Sequence, residues 1–248
     1  MKKTLLLTAL GLTALTGCTE LKKEDIGPIV AEYLVENPEF LIEAGKNLQK
    51  KEQEKAQAAQ INSVLSQKTA LIDEATPYIG NAEGKVAVIE FFDYQCTYCV
   101  VMSEHMKSLV QENSDVKVYL KETPIFGSRS EPSKLAAEWG MEIFAKKGTQ
   151  AYESYHNALW SSAKDNGNKL SNDVIKEYVE KSGLTFSDVT ATMTKKPQAN
   201  IQLFSQLGFR GTPALIVMPT EGANKDNVSI IAGADVEGLK AAIEKARG

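Results

Sequence analysis

Cysteine is scarce in this chain: Cys18, Cys96 and Cys99 are the only three among 248 residues. That scarcity excludes a fold stapled by several disulfides. Histidine is scarcer still, with His105 and His156 alone. A Cys-x-x-Cys half-site for zinc needs a second pair of ligands, and these two histidines lie far apart without paired spacing. No metal and no cofactor are therefore expected. Basic excess is missing too: 28 Lys and Arg against 32 Asp and Glu leave a net charge of −4. Nucleic-acid binding as the main work is thereby excluded, because nothing would neutralise the phosphates. Long apolar runs are absent after residue 18, and Leu5 to Leu15 is itself too short for a permanent membrane span.

What is present begins with that short run. Lys2 and Lys3 precede it, as in the positive start of a signal peptide. It closes on Leu15-Thr16-Gly17-Cys18, which resembles a lipoprotein signal. The resemblance implies that Cys18 is diacylated and becomes the mature N-terminus; the other reading is an ordinary signal with a chance cysteine. Acyl chains would tether the protein, since each buried methylene adds about 0.8 kcal/mol. Residues 1–18 are thus read as signal and lipidation motif. With Cys18 so used, the remaining adjacent pair reads as chemistry rather than as a staple.

Residues 19–75 form a polar tether followed by helices. Ile26, Ile29, Val30, Tyr33 and Leu34 fall at helical spacing. Asn37-Pro38-Glu39 looks like a break and a new start. A second helix carries Phe40, Leu41, Ala44 and Leu48, then a charged stretch, then Ile61, Val64, Leu65, Leu71 and Ile72. Uninterrupted to about Glu74 it would be roughly 50 Å long. Its Ala/Gln-rich centre suits a solvated spacer, whereas the apolar patches at both ends point to an oligomerisation region.

Residues 76–248 read as one α/β domain. Thr76 to Gly84 looks like turn sequence. Val86 to Phe92 is a nearly continuous β-branched and aromatic run, hence a buried strand. A helical pattern follows Cys96, and Val116 to Leu120 alternates as a second strand, so the order argues a parallel βαβ unit. Residues of about 130–207 are mainly helical, with Ser133, Ser171 and Thr185 as candidate caps. Ala214–Met218 and Val228–Ile231 return to strand, and a closing helix runs from about Val236 to Ala246.

Cys96-Thr97-Tyr98-Cys99 thus follows a buried strand and opens a helix. There the unpaired N–H groups and the helix dipole stabilise a thiolate at Cys96. Cys99, one turn on, is placed to resolve a mixed disulfide. Gly211-Thr212-Pro213 precedes the Ala214 strand, where a trans-Pro starting an edge strand is one reading and a cis-Pro the other. Glu90 is a carboxylate in an apolar strand, the mark of either a salt-bridged structural group or a working acid.

The segment Glu90 to Cys99, the helical insertion and Gly211-Thr212-Pro213 together resemble the DsbA family over residues of about 75 to 248. The resemblance implies a thioredoxin fold with an inserted helical domain and a cis bond at Pro213. It also implies that Thr212 offers backbone groups to an extended substrate peptide, and that Glu90 serves proton movement beneath the site. Oxidants of the family usually carry Pro-His between the cysteines; here Thr97-Tyr98 places no positive charge there, which makes the disulfide less oxidising. An x-Tyr dipeptide and Thr before the cis-Pro are similar to disulfide isomerases. Residues 24 to 75 are similar to the extensions that oligomerise isomerases of the ScsC type. The resemblance therefore implies a periplasmic lipoprotein on the outer or inner membrane, with exported clients that are unfolded or wrongly disulfide-bonded. It further implies a DsbB- or DsbD-like redox partner and a homodimer, or a trimer. The competing reading is a lipid-anchored thioredoxin-fold module that binds a partner or copper without exchanging disulfides.

Overall fold

The computed structural model describes residues 22–187 and 189–248. Cys18 and the signal-like segment lie outside them. The chain divides into two compact units between Glu54 and Lys55. The first holds helix α1 (Lys23–Glu36) and the start of helix α2 (Glu39–Ser66). The break between them falls at Asn37-Pro38, but Asn37 does not cap α2. Its side-chain amide donates back to the Tyr33 carbonyl at 2.8 Å and closes α1 instead. Apolar side chains stay in water here: Ile26, Ile29, Val30 and Tyr33 are about half exposed, as are Phe40 and Leu41.

Helix α2 stops at Ser66 and the chain turns through Gln67 into the short helix α3 (Lys68–Leu71). The uninterrupted helix to Glu74 expected from periodicity does not form. The turn carries Leu71, like Val64, into full burial against the sheet of the second unit. Burying the two side chains is together worth about 3–6 kcal/mol, enough to offset a few hydrogen bonds of about 1 kcal/mol each lost at a helix break.

The second unit is built on five strands in the order β1-β3-β2-β4-β5. In chain order they and their helices are β1 (Tyr78–Gly80), β2 (Val86–Phe92), α4 (Thr97–Glu112), β3 (Val116–Glu122), α5 (Glu131–Asp165), α6 (Asn172–Lys181), α7 (Ala191–Gln206), β4 (Ala214–Pro219), β5 (Ser229–Ala232) and α8 (Val236–Arg247). Strands β2 and β3 are parallel, joined through α4, and the other pairings are antiparallel. Strand β1, read from the sequence as turn, forms by adding three residues to the free edge of β3, with Tyr78 opposite Tyr119.

All seven residues of β2 are buried because both faces of the sheet are covered. Val86, Val88 and Phe92 pack towards α4, α5 and α8, whereas Ala87, Ile89 and Phe91 pack towards α7 and the α2–α3 end. Glu90 shares the parity of the first set, so its carboxyl belongs to the face that α4 covers. Helix α5 is two helical stretches meeting at Gly148, whose φ of 78° and ψ of −173° interrupt the spiral. Ser171 caps α6, accepting from the Val174 amide at 3.3 Å. Thr185 lies in the loop before α7 and does not cap it; Thr190 does, accepting from the Met193 amide at 3.4 Å. Ser133 lies inside α5 and is used elsewhere.

Candidate active site

The chain leaves β2 at Phe92 and makes a three-residue turn, closed by the Cys96 amide donating to the Asp93 carbonyl at 2.9 Å. Cys96 takes the N-cap position of α4 in an extended conformation, and no side chain caps the first turn. The free N–H groups of that turn are left for the sulfur. Thr97 and Tyr98 point outward, Tyr98 being 66% exposed, while Cys96 is 5% exposed and Cys99 is fully buried. Both cysteines are present as thiols.

The two sulfurs are pushed in opposite directions. The Cys96 thiol falls from its ordinary value to about 6, chiefly through a hydrogen bond from Cys99, opposed by burial and helped by Thr212 and the amides of Cys99 and Tyr98. Cys99 is held well above its ordinary value, first by burial and then by its bond to Cys96. One thiol is thus ionised at neutral pH and the other keeps its proton, which is the division of labour that exchange requires.

The Thr212–Pro213 bond is cis. It sets the Thr212 carbonyl against the active site, where the Cys96 thiol donates to it at 3.1 Å. The Thr212 hydroxyl is buried without a hydrogen-bond partner; it is the group available to the sulfur once Cys96 ionises. Glu90 lies beneath, 3% exposed. Burial, and secondarily the charge of Cys96, lift its carboxyl to about 8, so it holds a proton at neutral pH. The structure therefore brings Cys96, Cys99, Glu90, Thr212 and Pro213 to one place, with Thr97 and Tyr98 at its mouth.

Sequence reasoning missed the side chains that hold the loop. The Asp93 carboxylate accepts from the Gln95 amide at 2.9 Å, the Phe126 amide at 2.9 Å and the Ser133 hydroxyl at 2.8 Å. It ties the cysteine turn to the start of α5. Burial raises its pKa, opposed by these three hydrogen bonds. Tyr94 and Glu122 were passed over as well; a carboxylate at the end of an apolar strand was the signal available for the second. His156, weighed only as a metal ligand, is buried with its Nε2 accepting from the Trp160 indole at 2.9 Å. A nitrogen so occupied has no lone pair for a metal.

A βαβ unit whose helix opens on a Cys-x-x-Cys beside a cis-proline turn defines the class: a thioredoxin-fold thiol–disulfide oxidoreductase. The comparisons agree. Residues 87–244 match the DSBA-like thioredoxin domain, and the chain belongs to that family. Residues 23–55 match the N-terminal domain of the copper resistance protein ScsC. Salmonella enterica Typhimurium BcfH is similar at 32% identity, with a TM-score of 0.73 over 91% of this chain and 96% of that one. Proteus mirabilis ScsC in a compact conformation is similar at 27% identity and a TM-score of 0.60, over 90% and 97% of the two chains. A periplasmic thioredoxin-like protein from Salmonella enterica serovar Typhimurium is similar at 26% identity and a TM-score of 0.59, over 73% and 96%. No curated protein matches. Among the described residues no helix is long and apolar enough to cross a membrane.

Proposed function

We propose that this protein forms and reshuffles disulfides in exported proteins through Cys96 and Cys99. The observation that carries the reading is the geometry of one helix start: Cys96 at the N-cap of α4 against the cis Thr212–Pro213 turn, with Cys99 buried one turn in. As oxidant, the Cys96–Cys99 disulfide is attacked at Cys96 by a client thiolate; Cys99 leaves with the electron pair and takes a proton. A second client thiolate then attacks the client sulfur, Cys96 leaves as thiolate, and two electrons have passed from client to protein. As isomerase, the reduced pair works. The Cys96 thiolate opens a client disulfide, and another client thiolate then attacks the client sulfur and releases Cys96. Alternatively Cys99, after losing its proton, attacks the Cys96 sulfur and releases the client as thiolate, leaving the Cys96–Cys99 disulfide.

Glu90, protonated until about pH 8 and beneath Cys99, is the group to exchange protons with the resolving thiol. Thr212 and Pro213 border the client's path, and the exposed Tyr98 and Val101, 66% and 48% exposed, offer it apolar contact. Thr97-Tyr98 between the cysteines supports reshuffling beside oxidation, because no cation there stabilises the reduced form further. The half-exposed apolar side chains of residues 22–54 support assembly into a homodimer or trimer, which would set several sites around one client. Lipidation at Cys18, a periplasmic location and a membrane redox partner complete the reading, supported by the signal motif and by the periplasmic relative.

Refolding of scrambled ribonuclease tests it. The wild-type protein is expected to restore ribonuclease activity in a glutathione buffer, and Cys96→Ala to restore none above buffer. Equal rates for the two would leave a binding module as the account.

A further inference from the structure

Two positions before Cys96, the chain buries a tyrosine whose hydroxyl meets two polar partners distant in sequence. Tyr94 is 1% exposed and packs on Phe92 and Trp160, with ring centroids 5.2 and 4.6 Å away. Its hydroxyl meets His156 Nδ1 at 2.8 Å and donates to Glu122 Oε1 at 3.2 Å. The direction of each hydrogen bond follows from the far end. An indole can only donate, so His156 Nε2, 2.9 Å from Trp160 Nε1, accepts. Burial holds His156 neutral, with a pKa of about 3, so its one proton sits on Nδ1 and is donated to the Tyr94 oxygen. Tyr94 must then spend its own proton on Glu122. The chain Trp160, His156, Tyr94, Glu122 has a single orientation.

Glu122 is fitted to receive it. Tyr152 donates to the same Oε1 at 2.8 Å. The Asn200 amide fixes the Glu122 backbone, donating to its carbonyl at 3.0 Å. Gly140 of α5 makes the room: a Cβ there would stand 2.7 Å from Oε1. Yet Oε2 is buried with no partner. A buried acid with an orphaned oxygen costs stability that a hydrocarbon of the same shape would not. Such a group is retained where something other than stability selects it. What Glu122 holds is the turn that carries Cys96, and it holds it to β3 and, through His156 and Trp160, to α5.

We propose that Glu122 is a positioning residue for Cys96, acting through the Tyr94 hydroxyl, so that the helical insertion sets the placement of the attacking sulfur against Thr212. The inference rests on the reading of Cys96 as the attacking thiol. It assigns Glu122 no contact with a client. It differs from the role given to Glu90, which lies on β2 beneath the cysteines.

Tyr94 and Tyr152 permit a controlled test, because each gives one hydrogen bond to the same oxygen but only Tyr94 belongs to the cysteine turn. Reduced full-length protein is alkylated with iodoacetamide across the acid range, the adduct assigned to Cys96 by mass spectrometry, and unfolding followed in parallel. Tyr94→Phe is expected to slow alkylation at about pH 5, roughly a unit below the wild-type midpoint, by about threefold, the effect of raising the midpoint by about half a unit. Tyr152→Phe should stay within about twofold of wild type, although it also weakens the fold by giving up its hydrogen bond to Glu122. Tyr94→Phe gives up two, to Glu122 and from His156, and the parallel unfolding curves separate that loss of stability from the change in alkylation rate. Glu122→Gln, if it folds, should follow Tyr94→Phe. Any other pattern of the two tyrosine variants, whether equal loss or no loss, overturns the proposal. Wild-type protein that fails to exchange with oxidised glutathione would instead undo the reading of Cys96 itself, whatever the variants do.

Discussion

Cys96 and Cys99 are three positions apart and are pushed in opposite directions: a hydrogen bond from Cys99, helped by the free amides of the helix start, lowers Cys96, and burial one turn in raises Cys99. The largest cause of the low Cys96 value is the hydrogen bond from Cys99. Cys99→Ala should therefore raise the Cys96 midpoint from about 6, read as the pH at half-maximal alkylation rate; an unmoved midpoint would mean that the helix end alone sets it. Glu90 makes a second prediction. Its folded pKa of about 8 lies above the ordinary value of 4.5, so between the two the folded protein holds a proton that the unfolded chain has released. Stability is unaffected below about pH 4.5 and falls as pH rises from there to about 8, by on the order of 5 kcal/mol in all. Ionisation of Cys96 acts oppositely, adding stability from about pH 6 upward. Glu90→Gln should remove only the first slope, so denaturant midpoints of the variant should gain on wild type as pH rises from 5 to about 8. At this scale the reactive pair was legible because its chemistry needs only two residues at fixed spacing. Tyr94, Glu122 and His156 were not, since 28 and 62 positions separate Tyr94 from its partners, and pairing across such gaps leaves no local pattern.

At the scale of elements, β2, α4 and β3 were legible because each has enough residues to display a period or an unbroken apolar run. Strand β1 has three residues and no pattern of its own; it exists because the edge of β3 offers unpaired backbone groups. The end of α2 carries neither Pro nor Gly, and only the competition for burial by Val64 and Leu71 marks it. Thr190 rather than Thr185 caps α7, a choice between two threonines that propensity cannot make. The close approach of α5 to β3 is similarly tertiary. Gly140→Ala would ordinarily favour a helix by about 1 kcal/mol. Here the added methyl meets Glu122 Oε1 at 2.7 Å, so the substitution should destabilise by about 1–3 kcal/mol. Chemical denaturation checks the sign, and a stabilised variant would contradict the packing described.

At the scale of the whole molecule, the apolar face on residues 22–54 and the buried Val64 and Leu71 belong to different units. The structure places the division at Glu54 and Lys55, so a truncation at residue 75 would strip core residues along with the exposed face. Light scattering should give a multiple of the chain mass for protein beginning at residue 19, and a monomer that keeps its melting transition for protein beginning at Lys55. A monomer in both cases would contradict the assembly reading.

The central claim is that Cys96 attacks and Cys99 resolves. Full-length protein with Cys99→Ala, incubated with a disulfide-bonded client and digested without reductant, tests it most directly. The account predicts an accumulating mixed disulfide between Cys96 and the client that wild-type protein, with its resolving thiol intact, does not retain. Client attached through Cys99 in the converse Cys96→Ala variant, with none on Cys96 in the first, would contradict it.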